Sequence, residues 1–327
     1  MAVLPGPLRL ALDLGTTTTR LAIAGRPGRI ELPTCVRVPA DPTAAAWIGE
    51  AALPDRPATR LLRPVVEGSV QDFDALERLL AVLLRQHAPG PLRARWATVA
   101  VPSDASDLER RALVGSLLQA GVRRVALIPT GLAAAIGCQL PADRPRGSMV
   151  VHVGAARSEV VVVCFGAVVA RRALRIGGQE VDKRVLAWIR SAHELLVWPA
   201  QAEALKRSAA SGGPLHVEGR VLGSGEARVV PIDRDGLRNA CGEVTSRLRD
   251  AAMEVLREVP ADLCADLLDS GLFLTGGGAS VPGLADLLRD ATQLPVLLAD
   301  DPAARVIDGL AAAWTQPAWT PLLDLPT

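Results

Sequence analysis

The sequence predicts an α/β chain that runs through one structural plan twice, and three observations carry that reading. The stretch Leu8–Ile23, LRLALDLGTTTTRLAI, is an apolar run broken by a short polar turn, the pattern of two strands joined tightly. A second hairpin follows at Ser148–Val153 and Glu159–Phe165, bracketing the turn HVGAARSE, and a third strand, Val168–Ile176, ends at Gly177 and Gly178. Between the two hairpins, Trp96–Val101 reads as a buried strand, Ser106 caps a helix running to Gly121, and Val125–Ile128 is the next strand. Strand, helix, strand at this spacing is an α/β unit, and the recurrence of strand, glycine turn, strand, helix marks an internal repeat.

The remaining elements follow in order. Arg26–Arg29 reads as a turn, and Ile30–Val38 continues the sheet with Pro33 at an edge or bend. The segment Pro39–Pro64, rich in Ala, Pro, Asp and Arg, holds only a short strand at Trp47, Ile48 and Gly49 and suits a small inserted subdomain. Asp72–Gln86 is an amphipathic helix with Phe73, Leu76, Leu79, Leu80 and Leu83 on one face, stopped by His87, Pro89, Gly90 and Pro91. Val160–Ala170 is too short and too valine-rich to span a bilayer and reads as a strand pair turning at Gly166. Val181–Leu196 is expected to be helix with Ala187, Trp188 and Leu195 in its core face, and Ala200–Ala210 a shorter one. Leu215–Val230 is a polar hairpin turning at Gly223–Gly225. Asp235–Val259 is a long helix with Leu237, Val244, Leu248, Ala252 and Val255 inward, and Asp262–Leu268 a short one. Gly271–Thr275 is a strand feeding Gly276, Gly277 and Gly278, Pro282 opens a helix, Leu294–Leu298 is the last strand and Arg305–Ala313 the last helix. The proline-bearing remainder reads as a tail that frays.

Composition narrows the function classes. The chain has 327 residues, long enough for one large domain or two compact ones, with 36 Lys+Arg against 35 Asp+Glu. That balance gives no reason to expect nucleic acid as a partner. Hydrophobic residues make up 49% and aromatics only 3%, so the core must be aliphatic and base-stacking platforms are scarce. The five cysteines fall into no CxxC or Cys/His cluster and read as reduced core thiols of a cytoplasmic protein. The opening MAVLPGPLRLALD lacks a charged leader and a long apolar stretch, so no signal peptide is expected.

Three glycine-bearing turns follow strands: Asp13–Thr19, Gly154–Ser158 and Thr275–Gly278. In the first, Gly15 lets backbone approach a ligand, Thr16, Thr17 and Thr18 offer amides and hydroxyls to phosphate oxygens, and Asp13 is a candidate to hold a hydrated divalent cation. The alternative for Asp13 is a turn carboxylate bonded to amides. Two such turns facing each other across a cleft would clasp phosphates, and the third would suit a nucleoside, its glycines exposing amides or only permitting close packing. Neither GxGxxG nor GxxxxGK[ST] is present, so the dinucleotide and Walker-type readings lose their main support.

At this level of detail the sequence resembles the MreB branch of the actin-like ATPases. DLGTTTT is similar to the family's first phosphate loop, and RPVVEGSVQDFD at Arg63–Asp74 to its RPxxxGxIxDF run. VPSDASDLERRAL, LIPTGLAAAIG, IGGQEVD, AEALK and LTGGGASVPGL follow in the family's order and spacing. The resemblance implies an actin-like α/β fold: two lobes of mixed sheets flanked by helices with a nucleotide cleft between them. The lobes would be residues 1–147, with a subdomain inserted at about 31–62, and 148–327, with one at about 183–242. It implies ATP or ADP as cofactor, contacted by Asp13, Gly15, Thr16, Thr17, Thr18, Gly154, Arg157, Gly178, Glu180, Asp182, Glu203, Lys206, Gly276, Gly277 and Gly278, with Glu203 and Lys206 near ribose and base.

The departures from the family pattern concern the chemistry. The family's second loop reads DxGGGTT, its aspartate helping to hold Mg2+; here that position is His152, and the loop is Gly154, Ala155, Ala156, Arg157, Ser158. A neutral imidazole does not replace a carboxylate facing a hard cation, so Asp13 is the one metal candidate left. Where the family supplies a carboxylate to position the attacking water, this chain has Pro129, Thr130 and Gly131, and Thr130 carries no base. Arg157 reads either as a solvated side chain or as a charge placed on a phosphate in lieu of the cation. His152 reads as an interior histidine more readily than as a catalyst.

The expectation is a pseudo-ATPase: a cytoskeletal scaffold or filament protein of bacterial cell shape or envelope growth, self-associating, cytoplasmic, and using nucleotide as structural glue. The competing readings are an active Mg-ATP-hydrolysing filament protein and a monomeric adaptor of a membrane or division complex. Membrane or cell-envelope partners would engage through the N-terminus or the loop HAPGPLRAR, where Leu92 stands beside basic residues.

Overall fold

The computed structural model describes residues 7–41, 44–66, 69–88, 95–210, 212–316 and 319. Residues 89–94 of the HAPGPLRAR loop, Leu92 among them, the first six residues and nearly all of the expected tail lie outside them. The chain divides into two compact units. One runs through Pro145 and adds Cys164–Ala167 and the segment from Ala304 onward; the other comprises Arg146–Val163 and Val168–Ala303.

The first unit opens with β1 (Leu8–Leu14), β2 (Thr18–Ile23) and β3 (Ile30–Pro33). Strands β1 and β2 pair antiparallel with Leu14 opposite Thr19, so the reversal between them is a four-residue loop. Beyond the break at Pro33 come β4 (Val36–Pro39), β5 (Trp47–Ile48) and β6 (Thr59–Leu62), a small sheet ordered β5-β4-β6. A buried cation ties this small sheet together: Arg37 donates to Ala52 O at 2.8 Å, Asp55 Oδ1 at 3.0 Å and Thr59 Oγ1 at 3.1 Å. A two-stranded ribbon, β7 (Val65–Val66) and β8 (Ser69–Val70), leads into α1 (Phe73–His87). Asp72 caps α1 by accepting from Ala75 N at 2.9 Å. Leu76, Leu79, Leu80 and Leu83 are fully buried, while Phe73, expected on the same face, is 41% exposed. It lies in the first turn, ahead of the surface that the helix buries.

Strand β9 (Arg95–Val101), α2 (Asp107–Gln119) and β10 (Arg124–Pro129) form the predicted α/β unit, with both strands parallel to their neighbours in a sheet ordered β10-β9-β1-β2-β3. Ser106 and Glu109 close a reciprocal capping box at the start of α2. Next comes α3 (Thr130–Gly137), buried from Gly131 to Gly137.

The second unit is built on β11 (Ser148–Val153), β12 (Ser158–Cys164) and β13 (Ala167–Leu174). The β12–β13 turn places Phe165 (φ 50°) and Gly166 (φ 71°) in the left-handed region, the backbone a two-residue hairpin turn requires. Helix α4 (Gly178–His193) buries Val181, Val185 and Ile189. It ends three residues earlier than expected because Glu194 turns left-handed (φ 52°), and Leu195 belongs to β14 (Leu195–Leu196); Ala187 is exposed. Helix α5 (Pro199–Ala210) leads to β15 (His216–Val221) and β16 (Ala227–Pro231), which with β14 make a sheet ordered β14-β15-β16. Helix α6 (Arg234–Glu258) buries the five predicted residues, and α7 (Ala261–Ser270) precedes β17 (Leu272–Thr275). Helix α8 (Leu284–Thr292) starts two residues beyond Pro282, after Gly283 at φ 82°. Strand β18 (Val296–Leu298) completes a mixed sheet ordered β13-β12-β11-β17-β18.

The last helix, α9 (Arg305–Ala312), belongs to the first unit, where it crosses α3. At the crossing a Cβ on Gly137 would lie 1.8 Å from Arg305 O, and one on Gly309 1.8 Å from Ala133 O. Backbone meets backbone there, and only hydrogen fits. Gly137→Ala or Gly309→Ala should therefore force the helices apart and cost about 3 kcal/mol or more in denaturant unfolding. Gly115→Ala, on α2 with nothing within 4 Å of the added methyl, should raise stability by about 0.5–1 kcal/mol.

Candidate phosphate turns and the residues around them

In the first unit the turn after β1 is set by its backbone. Gly15 N donates to Thr18 O at 3.1 Å, and a Cβ on Gly15 would come within 2.8 Å of that oxygen. Thr34, just after β3, clasps the turn from the side. Its hydroxyl donates to Gly15 O at 2.7 Å and accepts from Thr19 Oγ1 at 2.9 Å, and its amide donates to Thr17 O at 2.9 Å. Both threonines, Thr19 and Thr34, are fully buried, whereas Thr17 is exposed and Thr16 and Thr18 are half-buried. Asp13, at the end of β1, pairs with a cation shared with a second acid: its Oδ2 lies 3.4 Å from Arg20 Nη1, and Arg20 Nε lies 3.3 Å from Glu31. Burial pushes the Asp13 carboxyl above the usual range, with Arg20 opposing. Pro129 ends β10, and Thr130 is the first residue of α3, half-buried and without a side-chain cap.

The turn after β11 in the second unit repeats the first. Gly154 N donates to Arg157 O at 2.9 Å, with a would-be Cβ 2.6 Å from that oxygen. Val153 pairs with Ser158 as Leu14 does with Thr19, so the loop length is the same. Here too the carbonyls are spent inward. Val153 O accepts from Gly278 N (2.8 Å), Gly154 O from Gly178 N (2.9 Å) and Ala155 O from Gln179 N (2.8 Å). The approach of α4 to the loop requires Gly177, where a Cβ would meet Gly154 O at 2.3 Å. Ser158, fully buried, fixes the loop's far side by donating to Ile176 O at 2.8 Å.

His152 stands in a polar row across three strands. It pairs with Glu159 on β12 and Thr275 on β17, and its Nδ1 lies 3.1 Å from Thr275 Oγ1. Glu159 and Thr275 are buried, and Arg157 is 8% exposed, so it is not a solvated surface side chain. Of the three glycines after β17, Gly276 (φ 88°) donates to Pro302 O at 2.7 Å and would push a Cβ to 2.3 Å from Val153 O. Gly278 packs against Val153; Gly277 is exposed, with open space at its α-carbon. Two of the three are thus demanded by packing.

The expected nucleoside contacts separate into a buried pair and a surface set. Lys206, 8% exposed, places Nζ 2.7 Å from Asp182 Oδ1 and 3.1 Å from Gly178 O, joining α5 to the start of α4. Burial raises the Asp182 pKa and Lys206 opposes it. Glu180 instead pairs outward with Lys183 at 3.5 Å and Arg184 at 3.2 Å, and Glu203 pairs with Arg207. Thr34, Glu159 and Arg20 are participants that pattern reading missed, and for Thr275 and Gly177, placed in turns by the sequence, it missed the hydrogen bond to His152 and the approach of α4. Replacing Lys206 by Met leaves Asp182 half-buried without its cation, which should cost about 2–4 kcal/mol at pH 7. The carboxyl pKa rises further in that variant, and a raised carboxyl stabilises the fold at low pH and loses that contribution as pH climbs. Unfolding titrations should accordingly show the Lys206→Met deficit shrinking as pH falls from about 7 to about 4.

Among the described residues no helix is long and apolar enough to cross a membrane. The family described as MreB/Mbl protein matches residues 8–320 of this chain. The Cell shape-determining protein MreB of Escherichia coli (strain K12) is 33% identical over 316 residues, covering 92% of this chain and 91% of that protein. Mbl of Bacillus subtilis (strain 168) is 26% identical, covering 90% and 91%. Among solved structures, MreB5 of Spiroplasma citri bound to ADP superposes with a TM-score of 0.85 at 23% identity, covering 96% of this chain and 98% of that one. A MamK double helical filament gives 0.82 at 20% identity, covering 95% and 99%. The fold is actin-like, and the chain belongs to the MreB/Mbl family.

Proposed function

We propose that this protein is a cytoskeletal scaffold of bacterial cell shape that self-associates into filaments in the cytoplasm and holds adenine nucleotide without turning it over. The family assignment, spanning residues 8–320, supports the cell-shape role. The E. coli and B. subtilis relatives are cell shape-determining proteins. The binding of ADP and AMPPNP by MreB5 of Spiroplasma citri, and the filament formed by MamK, support nucleotide binding and assembly here.

The observation that carries the hydrolysis part of the reading is His152. Its imidazole takes the place of the family's carboxylate and is hydrogen-bonded to Thr275. Magnesium takes oxygen ligands in strict octahedral geometry, and an imidazole so engaged does not fit that role. The first turn fits a phosphate better: its carbonyls are drawn inward and Thr17 is exposed. Thr130, at the head of α3, supplies no base to orient water. Phosphoryl transfer depends on positioning the nucleophile and neutralising developing charge, and both contributions are diminished. Nucleotide then acts as a ligand that stabilises the folded, assembly-competent chain by mass action.

Phosphate release from Mg-ATP should stay at background while the same sample sediments at high protein concentration and shows filaments by electron microscopy. A turnover rate comparable with E. coli MreB would restore the active-ATPase reading. A chain that remains monomeric with and without nucleotide would favour the adaptor reading.

A further inference from the structure

The turn Gly15–Thr18 is a strand reversal whose three inner carbonyls all have donors. Thr18 O is taken by Gly15 N, Thr17 O by the amide of Thr34, and Gly15 O by the hydroxyl of Thr34. Two of those three bonds come from one residue outside the loop. That residue is fully buried and is itself oriented, because its hydroxyl oxygen accepts from Thr19 Oγ1 at 2.9 Å. A carbonyl oxygen turned toward an anion repels it, whereas an amide or hydroxyl attracts it. A loop can therefore cradle phosphate only if its carbonyls point elsewhere. In the second unit's matching turn, backbone amides of α4 and of Gly278 meet the same need. The first turn has no helix delivering amides to its carbonyls, and the Thr34 side chain does part of that work.

We propose that Thr34 is a positioning residue of the phosphate turn: by holding Gly15 O inward through its hydroxyl, it sets the turn's affinity for the phosphates of a bound nucleotide. The inference rests on the nucleotide-binding reading above and adds a determinant to it. Thr34 touches no ligand in this account and acts through the backbone of Gly15 and Thr17. Valine at position 34 keeps shape and the amide bond to Thr17 O but leaves Gly15 O and the Thr19 hydroxyl without their partner. Gly15 O then has reason to rotate toward the ligand side. Serine keeps the hydroxyl.

The test is calorimetric titration of the full chain with ATP and with ADP, for wild type, Thr34→Val, Thr34→Ser and a control, Thr98→Val. Thr98 is another buried hydroxyl of the first unit, donating to Leu310 O at 3.1 Å. Thr34→Val should weaken both nucleotides about tenfold or more, Thr34→Ser should remain within about threefold of wild type, and Thr98→Val should lower the unfolding midpoint without changing affinity. Equal affinity of Thr34→Val and wild type would overturn the inference, as would equal weakening by Thr34→Val and Thr98→Val, or a Thr34→Ser variant as weak as Thr34→Val. A wild-type chain that takes up neither nucleotide overturns the nucleotide reading itself, an outcome distinct from normal wild-type binding with an unaffected Thr34→Val.

Discussion

A strand that reverses in four residues must dispose of its carbonyl oxygens, and in this protein that requirement shapes both candidate phosphate turns. Each turn closes on a glycine amide bonded three residues ahead, Gly15 to Thr18 and Gly154 to Arg157. The remaining inner oxygens need donors from elsewhere. In the first unit Thr34 provides them; in the second, the first amides of α4 and the amide of Gly278 do. Those donors reach their acceptors only if side chains are absent at Gly177, Gly276 and Gly278. The glycines thus belong to backbone packing first, and the loops inherit from that packing whatever capacity they have for an anion.

This division changes the meaning of the altered second loop. Ala155 and Ala156 stand where the resemblance leads one to expect glycines, and the loop has the length of the first turn and is bonded to α4 and to Gly278. Beside it lies the polar row across the sheet, where Glu159, His152 and Thr275 stand side by side on three strands. A histidine hydrogen-bonded to a buried threonine is a stable interior arrangement that needs no cation. The pair Asp182–Lys206 likewise serves to lock α5 onto α4. Both arrangements are structural supports in their own right, and neither depends on a bound ligand.

Much of the fold was legible because its elements are periodic or punctuated. The heptad-like face of α6, the capping box before α2 and the valine runs of β11 and β12 all announce themselves. Helix α3 does not: buried on every side, its run Gly131–Gly137 has no polar face to mark a period. The placement of α9 in the first unit was equally hidden, because it depends on Gly137 meeting Gly309 and Arg305, the latter 168 positions further along the chain. At the candidate site, glycine turns and the His152 departure could be read directly. Thr34 could not, nor could the partnership of Thr275 with His152, since a threonine beside a proline or a glycine run gives no sign of its hydrogen bonds.

The proposed function joins a first turn suited to phosphate to a second in which an imidazole, His152, stands where a carboxylate would face a metal ion. Its most direct test is the dissociation constant for ATP in excess Mg2+ compared with that in excess chelator. The expected values agree within about threefold, because His152 offers an incoming cation no carboxylate. Binding that tightens by more than about tenfold when Mg2+ is added would contradict it.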